Sequence, residues 1–323
     1  MTRRAVITGV GHYLPARVVE NAEFEATLET SDQWIRTRTG IERRHFAAEG
    51  ETTSQMGAEA ARAALADAGI TAEEVDALIL ATSTADLTFP SAATMVQAAI
   101  GMNKGFAFDV QAVCAGFAYA MTTANSLILS GQAERVLVIG AETFSRLMDW
   151  SDRGTCVLFG DGAGAVLLEG AEGTGAPTDR GILAAEIHSD GRFKDILYVD
   201  GGVSTHTTGM LRMQGKEVFR HAVEKLAGTA KDTLAKAGLT PDDIDWIVPH
   251  QANLRILTAT ADRLGVSMDH VVQTVRDHGN TSAASIPLAL SVAKADGRIK
   301  PGDLVVTGAI GGGLAWGSVV FRV

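Results

Sequence analysis

With 323 residues and a formal net charge of −10, the chain is long enough for one large globular unit or two fused ones, and it lacks the basic footprint of a non-specific nucleic-acid binder. Hydrophobic residues make up 46% and aromatics only 6%, so the core is built from small aliphatic side chains, and 35 Gly against 7 Pro point to tight turns and close backbone approach, not to a disordered linker. Two cysteines, Cys114 and Cys156, exclude a disulfide framework and fit a reducing, cytoplasmic setting, and there is no run of about 18 apolar residues to span a membrane.

Along the chain, MTRRAVITGVG reads as a first β-strand and not as a secretory signal, because its apolar run is very short. Thr53–Ala68 reads as an Ala-rich helix. Residues 61–79, ARAALADAGITAEEVDALI, describe the end of a helix closed by Gly, an acidic turn and a buried strand. The same text returns at 230–248 as AKDTLAKAGLTPDDIDWIV, with seven of nineteen positions identical and seven more exchanged like for like. VLVIGA at 136–141 returns at nearly the same offset as LVVTGA at 304–309. Two matches in step predict an α/β chain made of two fused, similar halves, 1–170 and 171–323. Cys114–Ser130 reads as a helix closed by Gly131, Val218–Ala237 as a long helix and Trp246–Val248 as a strand, with longer loops near 170–180 and 189–210.

Four places carry chemistry. Cys114 follows a strand-like run that ends near Asp109–Val110 and starts a helical pattern. Free N–H groups and the helix dipole there favour a thiolate; a buried small residue is the plainer reading, and Cys156, without a helix-start signal, is read as core. His250, in VPHQANLR, stands at the C-terminal end of a strand, where sites collect in α/β sheets. Asn280, in DHGNTSAAS, offers a donor and an acceptor before a helix start. Gly311–Gly313, after a strand, bring backbone N–H groups close to something; no Lys-Ser or Lys-Thr follows as in a phosphate loop, and an oxyanion site is the other option. The offset of the repeat would set Cys114 and Asn280 against each other at a pseudo-symmetric pair of helix starts.

With SDQWIRTRTGIERR, FPSAA, DVQAVCAGFAYA, SDRGT, FGDGAGA, GKEVF, VPHQANLRI, HGNTSAAS and GGGLAWGS, the whole chain resembles the β-ketoacyl-acyl-carrier-protein synthase III family. The resemblance implies a thiolase-like fold, two duplicated halves in five α-β-α-β-α layers, as a homodimer. It implies that Cys114 takes an acyl group from acyl-CoA, that His250 and Asn280 serve the decarboxylative condensation with malonyl-acyl-carrier-protein, and that the N–H groups of Cys114 and Gly312 form the oxyanion hole. It gives Thr30, Trp34, Arg38, Arg153, Gly215, Phe219, Ala222 and Asn253 to coenzyme A, with Trp34 and Arg153 around the adenine. Phe117 and Leu314 would line the acyl pocket, with Phe89 reaching the partner subunit's. Arg220, Arg255 and Arg263 would dock the carrier protein, although Asp262 stands where some relatives carry Lys. Coenzyme A enters as a substrate thioester, with no cofactor and no metal. Same-fold synthases of secondary metabolites or long-chain β-ketones share this residue set, and a cysteine hydrolase is a more distant alternative.

Overall fold

The computed structural model describes residues 2–323. The chain opens with β1 (Thr2–Tyr13), then β2 (Arg17–Glu20), α1 (Asn21–Glu25), α2 (Asp32–Thr39) and β3 (Arg43–Phe46). It continues with α3 (Thr53–Ala68), β4 (Ala77–Ala81), α4 (Ala92–Ile100), β5 (Phe106–Val110), α5 (Gly116–Leu129), β6 (Arg135–Glu142) and β7 (Gly162–Gly173). Five of these strands form one sheet in the order β1-β7-β6-β4-β5, with β4 parallel to β5 and β6, and β7 antiparallel to β6 and β1.

The remaining elements are β8 (Gly181–Ser189), the small pair β9 (Leu197–Val199) and β10 (Leu211–Met213), α6 (Gly215–Lys236), β11 (Trp246–Pro249), α7 (Leu254–Leu264), α8 (Val275–His278), α9 (Ser285–Ala295), β12 (Leu304–Gly311) and β13 (Ala315–Arg322). Their sheet runs β11-β12-β13-β8, with the same sequence of parallel and antiparallel pairings as β4-β6-β7-β1. A single parallel bridge from Val271 to Ile247 stands in for a fifth strand.

Local chemistry explains the elements. In α3 a capping box between Thr52 and Gln55 satisfies the first N–H groups, and Gly69 closes the helix in the left-handed conformation. β4, ALILA, is buried at every position, as expected for a strand covered on both faces. α5 and α9 lie between the two sheets, α3 and α4 cover the outer face of the first, and α6 and α7 the outer face of the second. Helices enclosed between two sheets must be largely apolar on the faces they bury and slim enough for the sheets to close on them. Ala118, Ala120, Ala124, Ala289 and Ala293 meet that need and share one core with Val138, Val166, Val305 and Val319.

Three boundaries differ from the sequence expectation. The helix read as starting at Cys114 begins with a single 3-10 turn, Val113–Ala115, before α5 proper. The helix read from Val218 starts at Gly215. β7 runs to Gly173, so the chain crosses between sheets at residues 174–180.

Candidate active site

From β5 the chain turns into Val113, whose φ of 49° is left-handed, and Cys114 follows. A β-branched residue held there costs roughly 1–3 kcal/mol, which the surrounding packing has to offset. Ser282, at the offset that relates Ala61 to Ala230, has the same φ of 49° and also opens a 3-10 turn that leads into a central helix. The two elbows touch. Gly140 makes room for the second: a Cβ there would stand 2.3 Å from the carbonyl oxygen of Ala283. The partner of Cys114 under the pseudo-symmetry is therefore Ala283, not Asn280, which lies just ahead of the elbow. The expected pairing of helix starts exists, shifted by three residues, because the elbow and not the helix is the repeated unit.

The thiol departs from expectation in its charge. Burial pushes Cys114 up to about 12, opposed by the nearby Ser282 hydroxyl and reinforced by the nearby Glu142 carboxylate. A helix start favours a thiolate, but complete enclosure penalises one more strongly.

His250 extends β11 by one residue, its N–H donating to Gly308 at 2.9 Å. Its Nδ1 is 2.7 Å from Ser285 Oγ, which also accepts from the Gln251 N–H at 3.3 Å. Burial holds the imidazole down to about 3, so it is neutral. Gln251 is buried with all its hydrogen bonds made: Nε2 donates to Pro249 and Val272 carbonyls, and Oε1 accepts from Thr274 and Val275 N–H groups. It clamps the end of β11 to the segment 272–275 that leads into α8. Asn280 is pinned by backbone bonds to Leu158 and Gly160, and its Oδ1 accepts from the Ser282 N–H at 2.9 Å. That bond fixes the carboxamide, leaving its NH₂ to serve as donor.

Cys114, His250 and Asn280 line one cavity of about 750 Å³ with Trp34, Arg38, Arg153, Gly215, Phe219, Ala222 and Asn253. Both Arg38 and Arg153 stack on Trp34, with Cζ 4.9 and 5.3 Å from the ring centre. Asn253 also caps α7, Oδ1 accepting from Ile256 N–H at 3.0 Å. Arg255 lies at this cavity over Phe219. Arg220 is exposed and paired with Glu217, and Arg263 is exposed near the end of α7.

Other expected residues lie elsewhere. Thr30 is beside the cavity and not on its wall, its hydroxyl buried without a partner. Phe117 is 1% exposed and points into the core between the sheets, and Leu314, also 1%, packs with Ala222, Leu226, Ile256 and Ile310 behind the wall. Gly312 borders a second cavity of about 920 Å³ on the other side of the Cys114 elbow, with Val113, Phe144 and Leu197. Phe89 is 82% exposed on the 82–91 loop. The sequence reading missed Ser285, Gln251, Ser282 and Glu142. A carboxylate closing the apolar run 136–141 of β6 was the available signal for the last.

Models of the 3-oxoacyl-[acyl-carrier-protein] synthase III family match residues 108–191 and, for its C-terminal part, residues 234–323. A β-ketoacyl-[acyl-carrier-protein] synthase III of Cereibacter sphaeroides is 76% identical over 322 residues, covering 100% of both chains. The chain belongs to the β-ketoacyl-acyl-carrier-protein synthase III family. The solved synthase III of Aquifex aeolicus is similar at 44% identity, with a TM-score of 0.93 over 99% of this chain and 100% of its own. The priming β-ketosynthase of the R1128 polyketide pathway is similar at 34% identity and TM-score 0.93, covering 100% of this chain and 97% of its own. With these synthase III relatives the chain shares the five-layer thiolase fold, and it is an acyl-transferring condensing enzyme of that family.

Proposed function

We propose that this enzyme initiates bacterial type II fatty-acid synthesis: Cys114 is acylated by acyl-CoA, and decarboxylative condensation with malonyl-acyl-carrier-protein then gives 3-oxoacyl-acyl-carrier-protein, CoA and CO₂. One observation carries the reading: a thiol from the first half and two neutral hydrogen-bond donors from the second converge on one cavity. In the first step Cys114 Sγ attacks the thioester carbon and the CoA sulfur leaves. In the second, the malonyl thioester oxygen accepts from His250 Nε2–H and the Asn280 NH₂, which hold the enolate as CO₂ departs. In this reading Ser285 Oγ, which accepts from the Gln251 N–H, gives its own proton to His250 Nδ1, and that makes Nε2 the donor. A neutral imidazole suits this work, since it donates without giving up its proton. The enolate carbon then attacks the acyl-Cys114 carbonyl, whose oxyanion is held by the N–H groups of Cys114 and Gly312, and the intermediate collapses with loss of the Cys114 sulfur, which regains its proton; a donor of this kind lowers the barrier by about 2.7–4 kcal/mol.

In this reading Trp34, Arg38 and Arg153 receive the adenine end of coenzyme A, with Arg153 swinging off the Trp34 face to admit the base. Gly215, Phe219, Ala222 and Asn253 line the pantetheine path and Thr30 supports its mouth. Arg255, with Arg220 and Arg263 farther along the surface, docks the acidic carrier protein. Phe117 and Leu314 set the depth of the acyl site from behind its wall. Exposed Leu87 and Phe89 support a homodimer in which Phe89 enters the second copy beside its nucleophile elbow. The halves divide the labour near residue 170, the first carrying Cys114 and the second His250 and Asn280. No cofactor takes part, and the reaction runs in the cytoplasm; no helix among the described residues is long and apolar enough to cross a membrane. The test is reconstitution with a panel of acyl-CoAs and malonyl-acyl-carrier-protein. The reading requires CO₂ and a 3-oxoacyl-carrier product in equal amounts. Turnover only with a specialised carrier protein would instead assign the enzyme to a secondary pathway.

A further inference from the structure

Arg44 on β3 is 0% exposed, and no carboxylate among the described residues pairs with it. Its Cζ stands 4.7 Å above the Phe24 ring, and its guanidinium is held by neutral oxygens alone. One nitrogen donates to Asn21 Oδ1 at 2.8 Å and to the Val19 carbonyl at 3.3 Å, and another donates to the Val157 carbonyl at 2.6 Å. A charge enclosed without a counterion costs more than a well-packed apolar side chain of similar volume. Stability alone does not account for this residue; what its fork holds does.

At one end the fork holds the cavity wall beside Asn280. Val157 opens a short run in which Phe159 pairs in parallel with Asn280. Asn280 donates its N–H to the Leu158 carbonyl and accepts from the Gly160 N–H, each at 2.9 Å, and the Asp161 N–H donates to the His45 carbonyl at 2.8 Å. The stem of Arg44 is the floor of this arrangement. A Cβ on Gly160 would lie 3.0 Å from its Cβ, and one on Gly279, at φ 63°, would lie 3.1 Å from it, so both backbones pass directly over the arginine. At the other end Asn21 Nδ2 donates to the Ile41 carbonyl at 2.8 Å and to Asp32 Oδ1 at 2.9 Å, which ties the fork to the first turn of α2.

We infer that Arg44 is a positioning residue for Asn280: its fork sets the 157–160 run, and that run sets where the carboxamide stands. The role rests on Asn280 being a donor in the proposed condensation. The Ser282 N–H fixes how the carboxamide is turned, but its place in the cavity follows from Leu158 and Gly160, and theirs from Val157. A donor displaced by about 1 Å can cost on the order of 10²-fold in rate. Lysine would keep the charge but present a single ammonium where a planar fork spans two acceptors.

The experiment follows CO₂ release from malonyl-acyl-carrier-protein by pre-acylated enzyme, beside the rate of Cys114 acylation. The variants are Arg44→Lys, Arg44→Met, Asn280→Ala and the double variant Arg44→Lys with Asn280→Ala. Arg44→Met should lower the maximal rate of CO₂ release by about 10²-fold and Arg44→Lys by about tenfold, with the half-saturating concentration of the malonyl carrier unchanged. Acylation should keep its wild-type rate, because none of these contacts reaches the Cys114 elbow. With Asn280 already replaced, Arg44→Lys should cause no further loss, whereas a general loosening of the fold would lower the rate again. Circular dichroism checks each fold; should Arg44→Met unfold, Arg44→Lys decides. Gly160→Ala, whose methyl group would meet the His278 carbonyl oxygen at 2.6 Å, shifts the same run with the cation intact and should reproduce the selective loss. Wild-type CO₂ release in a folded Arg44 variant, equal losses in both steps, or additive losses in the double variant overturn the positioning role and leave the proposed function standing. Undiminished CO₂ release in Asn280→Ala overturns instead the role of Asn280 on which the inference rests.

Discussion

The two halves turn the same corner with different residues. In the first, Ala81 at the end of β4 meets the elbow beside Gly116, close enough that a Cβ on Gly116 would lie 3.0 Å from that of Ala81. At the same offset in the second half, His250 directly follows β11 and meets Ser285 through a 2.7 Å hydrogen bond. The first elbow carries Val113 and Cys114 where the second carries Ser282 and Ala283, and both bend at φ 49°. A duplicated backbone thus supplies the same strained geometry twice. One copy is emptied of side chains so that the thiol can be enclosed, and the other is filled with polar ones that face it. The strain is common to both and cannot by itself be the source of the chemistry; the asymmetry of side chains is.

The comparison breaks most strongly if the polar residues of the second half are removed, His250 becoming the alanine that the first half carries at Ala81. His250→Ala should reduce malonyl decarboxylation by about 10²–10⁴-fold, and Asn280→Ala by about 10²–10³-fold, while intact-mass analysis still finds Cys114 acylated. Loss of acylation to the same extent in both variants would mean that the halves do not divide the steps. Filling the gap between elbows comes next. Gly140→Ala drives a methyl group into the Ala283 carbonyl and should cost about 1–3 kcal/mol, read as a lower denaturation midpoint. Ser285→Ala frees the His250 tautomer and should slow decarboxylation about tenfold, the equivalent of one hydrogen bond to a neutral partner. Without that serine the imidazole is still disfavoured as a cation by burial between its ordinary 6.5 and about 3, so the loss should not be recovered by changing pH within that interval. Smallest, and outside the elbows, Trp34→Ala should raise KM for acyl-CoA several-fold at unchanged kcat, since stacked cations and bases contribute about 0.5–2 kcal/mol.

Much of this architecture was legible beforehand, because helix caps, buried strands and a repeated nineteen-residue stretch are written in local sequence. The convergence of Cys114, His250 and Asn280 followed from placing each at the end of a strand or the start of a helix. What was not legible depends on three-dimensional enclosure. A helix start argued for an acidic thiol, and burial reversed the sign. Val113 and Ser282 adopt a backbone that their side chains disfavour, so propensity pointed away from an elbow at both. Nothing in the local sequence marks the enclosure of Glu142, because the 82–84 segment and Ser282 that enclose it come from distant parts of the chain. Phe117 and Leu314, assigned to the acyl pocket by resemblance, lie behind the cavity wall because α5 and the turn between β12 and β13 bury those positions in packed clusters.

Intact-mass analysis after incubation with acyl-CoAs, with Cys114→Ala alongside, bears on the division between the halves most directly. The wild type should gain one acyl group that peptide mapping places on Cys114, and the variant should gain none. An acyl group on any other residue, or equal labelling of the variant, would contradict the assignment of the first elbow as the nucleophile's seat.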